Sequence, residues 1–224
     1  DLFCSIGGVS AGATRGGHCV VLAIDSDADR LAVHQLNHPR ASHKLMKLGP
    51  ETEETVVAMI KNAVPPQEWH RLWLHLSPPC QGQSSMRFLG KRVRDRTTKK
   101  FKFDLKERKQ FKTLGLSLVQ WSMDLVKRLQ PPHFSIEEVS DSAGAVERLM
   151  STFKRNNRSL LDFELIDMSD FGVPQTRKRL ICARPSVIEG LRFCVSLRVH
   201  RKSVIFDVLN PPTDARYLIG SLSR

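Results

Sequence analysis

The stretch RLWLHLSPPCQGQS, residues 71–84, carries an apolar run directly into two prolines and a cysteine. The run at 71–76 has the aromatic and branched apolar residues typical of a buried strand. Pro78 and Pro79 cannot continue a strand ladder, because proline lacks a backbone N–H and has a fixed φ. The sequence therefore predicts that a strand ends here and that Cys80 lies at its end. Cys80 alone leaves two interpretations open, a reactive thiol and a small buried apolar side chain.

Short apolar runs alternate along the whole chain with segments of helical periodicity. The runs that predict strands are 18–25, 71–76, 133–139, 162–168 and 179–183, and the segments that predict helices are 28–36, 51–63, 113–129 and 143–156. This alternation predicts an α/β fold, a doubly wound and largely parallel sheet with helices on both faces. Sites in such folds form at the carboxyl ends of the strands, so the residues that follow each predicted strand are candidates for function.

Net charge, cysteine spacing and the length of apolar runs indicate which kind of partner and compartment to expect. The chain has 224 residues and a net charge of +12, which favours a polyanionic partner such as nucleic acid or an anionic membrane surface. The five cysteines include no CxxC pair and no zinc spacing, which indicates free thiols in a reducing, intracellular compartment (cytoplasm, or nucleus if eukaryotic) and no metal. No run of eighteen apolar residues occurs, so no membrane span is expected.

The basic charge is concentrated directly after Cys80. The segment from Arg87 to Lys112 holds twelve Lys or Arg residues and three acidic residues. A solvated charged surface is one interpretation of such a run. Its position beside Cys80 favours another, a loop that contacts phosphates.

Glycines cluster in the first seventeen residues, at positions 7, 8, 12, 16 and 17. A glycine-rich turn before a helix lets a ligand approach the backbone, and a helix N-terminus favours an anionic group. Asp25 ends the next predicted strand, where dinucleotide-binding folds place an acid on ribose hydroxyls. The stretch SIGGVSAG does not follow the G-x-G-x-x-G pattern, which argues against a pyrophosphate site. A tight turn without a ligand is the alternative.

Two further groups of charged residues follow predicted strands. Glu137 and Glu138 are adjacent, so their side chains should face opposite sides and only one should enter a site shared with Cys80. In QTRKR, residues 175–179, strand alternation would place Gln175, Arg177 and Arg179 on one side and Lys178 on the other. The alternatives are a solvated acidic pair and a basic edge strand.

Five stretches, taken in order, resemble the motifs of the DNA cytosine-5 methyltransferases. DLFCSIGG resembles the cofactor motif, AIDSD the ribose motif, PPCQGQS the nucleophile motif, IEEV the Glu-Asn-Val motif and FGVPQTRKR the Gln-x-Arg-x-Arg motif. The resemblance covers about residues 1–184 and implies a Rossmann-like methyltransferase domain there, with a truncated N-terminus. Residues 185–224 would then begin an incomplete target-recognition or connecting region.

The resemblance implies S-adenosylmethionine as cofactor and a cytosine flipped out of duplex DNA as substrate. Cys80 would add to carbon-6 of the ring and Glu137 would protonate or hydrogen-bond N3, while Arg177 and Arg179 would hold Glu137 and the base. The implied cofactor contacts are Phe3, Ser5, Ile6, Gly7, Gly8, Asp25 and Pro79. The implied DNA contacts are Ser84, Arg87, Lys91, Arg92, Arg94, Arg96 and Gln175. Residues 87–112 would form a mobile loop that closes over the flipped base.

Three positions depart from the family pattern. Ser5 stands where the family usually has Gly, Asp25 where it usually has Glu, and Glu138 where it has Asn. Two alternatives stay open beside a DNA methyltransferase. One is an RNA methyltransferase, since one branch of the family acts on tRNA, and the other is an inactive homologue that binds DNA. A nicotinamide-dependent oxidoreductase is disfavoured by the missing G-x-G-x-x-G pattern.

Overall fold

The computed structural model describes residues 1–79, 93–94, 101–102, 105–139, 144–173 and 175–196. The strands are β1 Leu22–Asp25, β2 Ser42–Leu45, β3 Trp73–Leu76, β4 Val93–Arg94, β5 Phe101–Lys102, β6 His133–Glu138, β7 Asp162–Asp167 and β8 Lys178–Ala183. The helices are α1 Gly8–Arg15, α2 Ala28–Asn37, α3 Glu53–Ala63, α4 Leu105–Leu129, α5 Ala145–Asn156 and α6 Pro185–Ser196. Strands and helices alternate, which confirms the predicted α/β class.

The sheet is mixed rather than largely parallel. β1 pairs with β2 and β3 pairs with β6, both in parallel. Leu2 joins these pairs through parallel bridges to Ile24 and Leu76. β8 lies between β6 and β7 and runs antiparallel to both. The prediction of a largely parallel sheet is therefore not confirmed. The short connection between β7 and β8 explains the reversal, because a parallel crossover needs a dozen residues or more.

The core lies where the sheet meets amphipathic helices. Phe134 and Ile136 of β6 are fully buried in one large apolar cluster. α5 adds Val146, Met150 and Phe153 to this cluster, a spacing that places all three on one helical face. Among the described residues, no helix combines the length and apolar character needed to cross a membrane.

The predicted mobile loop at 87–112 is wrong for its last eight residues. α4 begins at Leu105, so about two helical turns precede the start at 113 that periodicity predicted. The stretch LKERKQFK, residues 105–112, is rich in good helix formers and contains no glycine or proline, which explains the extension. Upstream, β4 and β5 form a short antiparallel pair.

Candidate active site

Four neighbouring chain segments end at the same edge of the sheet. Leu2 is in register with Ile24 and Leu76, and Leu76 is in register with Ile136. The next residue along each segment must therefore lie in a common row at the carboxyl edge, where sites of α/β sheets form. That row consists of Asp25, Phe3, Ser77 and Glu137. Three strand spacings of about 4.8 Å place Asp25 about 14 Å from Glu137 along the row.

The glycine loop, residues 3–7 between Leu2 and α1, is tightly wound. Phe3, Ser5 and Gly7 all have positive φ, of 59°, 48° and 96°, a region that residues with a Cβ rarely occupy. Gly7 precedes the first turn of α1, and a Cβ built on it would lie 2.9 Å from Cδ2 of His38. Gly8 has open space where its Cβ would be. The glycine pair therefore fits both the loop's conformation and a close approach from outside.

Asp25 braces this loop. Its side chain is 8% exposed, and its carboxylate accepts hydrogen bonds from the N–H groups of Ser5 (2.8 Å) and Asp27 (2.9 Å). The sequence predicted a ribose contact for Asp25 but missed this bracing role. A carboxylate has about four acceptor sites, so Asp25 keeps capacity for a ligand hydroxyl.

Phe3 lies beside the buried indole of Trp121 in α4. The two rings meet edge to face, with centroids 6.1 Å apart and planes at 88°. Phe3 is half-buried, whereas Ile6 is exposed, and so is Pro79, three residues after β3. The predicted cofactor contacts on the loop thus lie along the same edge as Asp25.

Glu137 and Arg179 form an ion pair across β6 and β8. Arg179 Nε lies 2.5 Å from Glu137 Oε1, and the two side chains are 15% and 29% exposed. Glu137 is directly opposite Ile181, so Arg179 is its diagonal neighbour on the same face of the sheet. The Arg179 guanidinium also donates to the carbonyl of Lys178 at 2.8 Å. The structure thus brings together two of the predicted catalytic residues.

Glu138 faces the opposite side of β6, as strand alternation predicted. It is 1% exposed, and its Oε2 accepts a hydrogen bond from the N–H of Val139 at 3.0 Å. Of the two adjacent acids, Glu137 is therefore the one on the face that carries Arg179.

Gln175 and Arg177 do not share the alternation of β8. The strand begins only at Lys178, so the predicted alternation from Gln175 to Arg179 is wrong. The Asp167 carboxylate accepts hydrogen bonds from the N–H groups of Ser169 and Arg177, which closes the connection as a turn. Both Gln175 and Arg177 are exposed. Within the described part of the chain, the Arg177 side chain has no hydrogen bond or ion pair.

Several predicted site residues lie outside the described residues: Cys80, Ser84, Arg87, Lys91, Arg92 and Arg96. Arg94 belongs to β4 by its backbone. Their roles stay predictions. No cluster of three or more potential metal ligands occurs among the residues that the structure describes.

Comparison with known proteins assigns the family. Residues 1–186 match the model of the C-5 cytosine-specific DNA methylases. The chain belongs to this family. The Type II methyltransferase M.XorII of Xanthomonas oryzae pv. oryzae is 24% identical over 198 residues, which cover 81% of this chain and 38% of that protein.

Solved structures with a similarly low sequence identity share the fold. A prophage-encoded DNA modification methyltransferase of E. coli is 24% identical, with a TM-score of 0.52 over 84% of this chain and 47% of the other. A DNMT2 protein of Spodoptera frugiperda is 20% identical, with a TM-score of 0.51 over 82% and 48%. The chain thus has a Rossmann-like methyltransferase fold and spans less than half the length of each of these relatives.

Sequence reasoning missed three residues that hydrogen-bond to the glycine loop and to the start of α1. His34 and Asn37 of α2, and its C-cap residue His38, each hydrogen-bond to a residue between Ile6 and Ser10. Their i, i+3, i+4 spacing, which places them on one face of a helix, was the available signal.

The buried cysteines are poor candidates for the nucleophile. Burial, reinforced by the nearby Asp25 carboxylate, raises the pKa of Cys4 to about 12. Burial also raises the pKa of Cys182 far above its usual range. A thiol reacts as its thiolate, so neither side chain is nucleophilic at neutral pH.

A cavity of about 1090 Å³ lies away from the candidate edge. It is lined by α1 and by the amino ends of β1, β3 and β6, including Leu22, Trp73 and His133. None of the described site candidates lines it. The Glu137–Arg179 ion pair lies at the carboxyl edge of the sheet and not in this cavity.

Proposed function

We propose that this chain is the catalytic part of a DNA cytosine-5 methyltransferase that uses S-adenosylmethionine and takes Cys80 as its nucleophile. One observation carries the proposal. The glycine loop, Asp25, the end of β3 and the Glu137–Arg179 pair occupy one edge of the sheet in adjacent register. Residues of the motifs DLFCSIGG, AIDSD, IEEV and FGVPQTRKR therefore meet at this edge, and the end of β3 leads into the fifth motif, PPCQGQS.

The residues at the glycine loop fit the cofactor. Bound there, S-adenosylmethionine would supply an electrophilic methyl group. The open space beside Gly8 and the N-terminus of α1 suit a ligand that approaches the backbone closely. Asp25 would hold the ribose, Phe3 would stack on adenine, and Ser5, Ile6 and Gly7 would line the adenosine and methionine. Pro79 would border the methyl group.

The protein's own groups would activate the base. Carbon-5 of cytosine is a weak nucleophile, so the Cys80 thiolate adds to carbon-6 and pushes electron density toward carbon-5 and N3. Glu137 protonates or hydrogen-bonds N3 and so offsets the charge that develops there. Arg179 orients the Glu137 carboxyl through the ion pair, and Arg177, exposed at the same end of β8, reaches the base. After methyl transfer, removal of the carbon-5 proton expels the Cys80 sulfur.

The basic segment after Cys80 would hold the DNA. Arg87, Lys91, Arg92, Arg94 and Arg96 would contact phosphates, with Ser84 and Gln175 near the flipped base. The charge of this segment supports a nucleic-acid partner. The match of the family model to residues 1–186 supports DNA as that partner.

A covalent trap tests the nucleophile. Fluorine at carbon-5 cannot leave as a cation, so the adduct with duplex DNA containing 5-fluorocytosine should persist after methyl transfer. We expect the full-length protein with S-adenosylmethionine to give a protein–DNA band that survives denaturing electrophoresis. Cys80→Ser should lose the band, because a serine hydroxyl is hardly ionised. Glu137→Gln should form it about a hundredfold more slowly or worse.

Matched variants and substrates separate the alternatives. Cys4→Ser, Cys19→Ser and Cys182→Ser should all retain the adduct. An inactive homologue would bind the DNA without an adduct in any variant. An RNA methyltransferase would give the adduct with 5-fluorocytosine RNA and not with DNA. An adduct that persists in Cys80→Ser would show that the nucleophile is another residue.

A further inference from the structure

Three side chains contact the glycine loop and the start of α1, two of them from α2 and the third from its C-cap residue His38. Asn37 Nδ2 donates to the carbonyl of Ile6 at 3.4 Å, and His38 Nε2 lies 3.3 Å from the carbonyl of Gly7. One turn earlier in α2, His34 Nε2 lies 3.0 Å from Ser10 Oγ in the first turn of α1. Because a carbonyl only accepts, His38 must carry its proton on Nε2. These side chains therefore hold two carbonyls of the loop and the Ser10 hydroxyl of α1.

The hydrogen bonds around His34 form a chain in which the donor and the acceptor of each bond can be assigned. The Ser10 hydroxyl donates to the Asp1 carboxylate at 2.6 Å, so its only hydrogen is used and it must accept from His34 Nε2–H. A neutral imidazole has one N–H. His34 Nδ1 must then accept from Nε2–H of His43, 2.9 Å away. The chain runs from His43 in β2 through His34 and Ser10 to Asp1.

The side chains around His34 are closely packed, which leaves the imidazole rings little room to move. His34 is fully buried, with its ring centroid 4.8 Å from that of His38 and 4.9 Å from that of His43. A Cβ on Gly7 would lie 3.0 Å or less from two His38 atoms and 3.1 Å from Cδ2 of His34. Burial, followed by the charges of His38 and His43, lowers the pKa of His34 to about 4. His34 is therefore neutral at physiological pH, as the hydrogen-bond chain requires.

We propose that His34, as a neutral imidazole, and His38 are positioning residues that hold the main chain from Ile6 to Ser10 in the shape that receives S-adenosylmethionine. The cofactor part of this inference rests on the proposed function. A second proton on His34 would turn Nδ1 into a donor facing His43 Nε2, so the chain could persist only if His43 moved its proton to Nδ1. Among the described residues, the other titratable groups that face His34 are the C-cap residue His38, His43 from β2 and Asp1, by its carboxylate through Ser10 and by the charge of its α-amino group.

Amide hydrogen exchange of the full chain without cofactor tests the positioning role directly. His34→Leu removes both hydrogen bonds at similar volume, whereas His34→Gln keeps an N–H donor for Ser10 and an acceptor for His43. We expect exchange in peptides spanning residues 3–15 to rise about tenfold or more in His34→Leu and by less than about threefold in His34→Gln. At His38 we expect the same contrast, with a large rise in exchange for His38→Leu and a small one for His38→Gln.

A variant that is destabilised far from the loop shows whether faster exchange of the loop comes from lost positioning or from a general loss of stability. Phe153→Leu changes a buried side chain of α5 and should lower the melting temperature without speeding exchange of the loop. If His34→Leu accelerates exchange of the loop no more than Phe153→Leu does at equal loss of stability, the positioning role is overturned.

Calorimetry with S-adenosylhomocysteine tests the link to the cofactor. The Kd should rise about tenfold or more in His34→Leu and by less than about threefold in His34→Gln, a rescue that a purely structural role would not give. Faster exchange with unchanged affinity in His34→Leu would overturn the cofactor part of the proposal. Failure of the unaltered protein to bind would overturn the proposed function, while the exchange results would still decide the role of His34.

Discussion

At the residue scale, Ser5 has a strained backbone conformation that the shape of the glycine loop imposes. Its φ of 48° lies in the left-handed region, which costs about 1–2 kcal/mol for a residue with a Cβ. Its N–H donates to the buried Asp25 carboxylate at 2.8 Å. The hydrogen bond therefore holds a conformation that suits glycine, which is the residue that the family usually has here.

We predict that Ser5→Gly raises the free energy of unfolding by about 0.5–1 kcal/mol. Relief of the backbone strain outweighs the extra entropy of glycine in the unfolded chain. Chemical denaturation measures the change. Ser42→Gly in the exposed strand β2 is the control, and it should destabilise the protein because no positive φ is relieved there. A destabilised Ser5→Gly variant would contradict this account.

The described cysteines differ in exposure and should differ in reactivity. Cys19 and Cys194 are exposed and free, whereas Cys4 and Cys182 are buried. In the native protein at neutral pH, we expect iodoacetamide to label Cys19 and Cys194 within minutes to hours and to leave Cys4 and Cys182 unlabelled. Peptide mass spectrometry reads out each site. Labelling of Cys4 as fast as Cys19 would show that the glycine loop opens readily.

At the scale of elements, β3 and β6 are linked by polar side chains as well as by their ladder. Ser135 Oγ of β6 accepts from Trp73 Nε1 at 3.0 Å and lies 2.7 Å from His75 Nδ1. His75 Nε2 lies 2.6 Å from Ser77 Oγ, just before Pro78. These contacts anchor the end of β3, from which the chain runs to Pro79 and Cys80.

We predict that Ser135→Ala lowers the free energy of unfolding by about 1–3 kcal/mol. The substitution leaves His75 Nδ1, which is largely buried, without its partner. Urea denaturation measures the loss. Ser117→Ala is the matched control, since the exposed Ser117 hydroxyl donates to the Leu114 carbonyl within its own helix, and its effect should stay within about 0.5 kcal/mol. Equal effects of the two variants would show that the polar link contributes nothing.

α1 and β2, which periodicity did not predict, consist of residues with weak intrinsic preferences for helix and strand. α1 contains two glycines in eight residues, which disfavours a helix in isolation. Contacts of Ser10 with His34 and Asp1 hold it in place. β2 is polar and mostly exposed, so it carries no apolar alternation, and it forms by pairing with β1. In both cases tertiary contacts supply what local sequence does not.

At the scale of the whole molecule, two histidines are held neutral by the fold. Burial lowers the pKa of His75 to about 3, and burial with neighbouring histidines lowers that of His34 to about 4. Both values lie below the ordinary histidine pKa near 6.5. Between these values the unfolded chain binds protons that the folded protein does not, so acid favours unfolding.

We predict that the free energy of unfolding falls as the pH is lowered from 7 to 5, with about 1–2 kcal/mol from His75 alone. Denaturation curves at the two pH values measure the difference. His75→Gln should reduce this difference, whatever its effect on stability at pH 7. His70→Gln, at an exposed position, should leave it unchanged. Equal stability of the unaltered protein at both pH values would show that these histidines are protonated in the fold.

The sequence by itself determined the features that depend on local chemistry. The two prolines after residue 76 end β3, alternation puts Glu137 and Glu138 on opposite faces, and apolar periodicity located α2, α3 and α5 to within a few residues. The ordered motifs also identified the family that the comparison confirms. Each of these depends on residues that are neighbours in the chain.

Only the tertiary structure decided which distant residues meet. The antiparallel course of β8 places Arg179 diagonally across from Glu137 and leaves Arg177 outside the strand. The packing of α2 against the glycine loop brings His34 and His38 below Gly7, more than twenty residues away in sequence. Strand direction and register are set by pairing between segments, and a side chain's partners follow from that register. A sequence motif records which groups are present, whereas the sheet determines which of them touch.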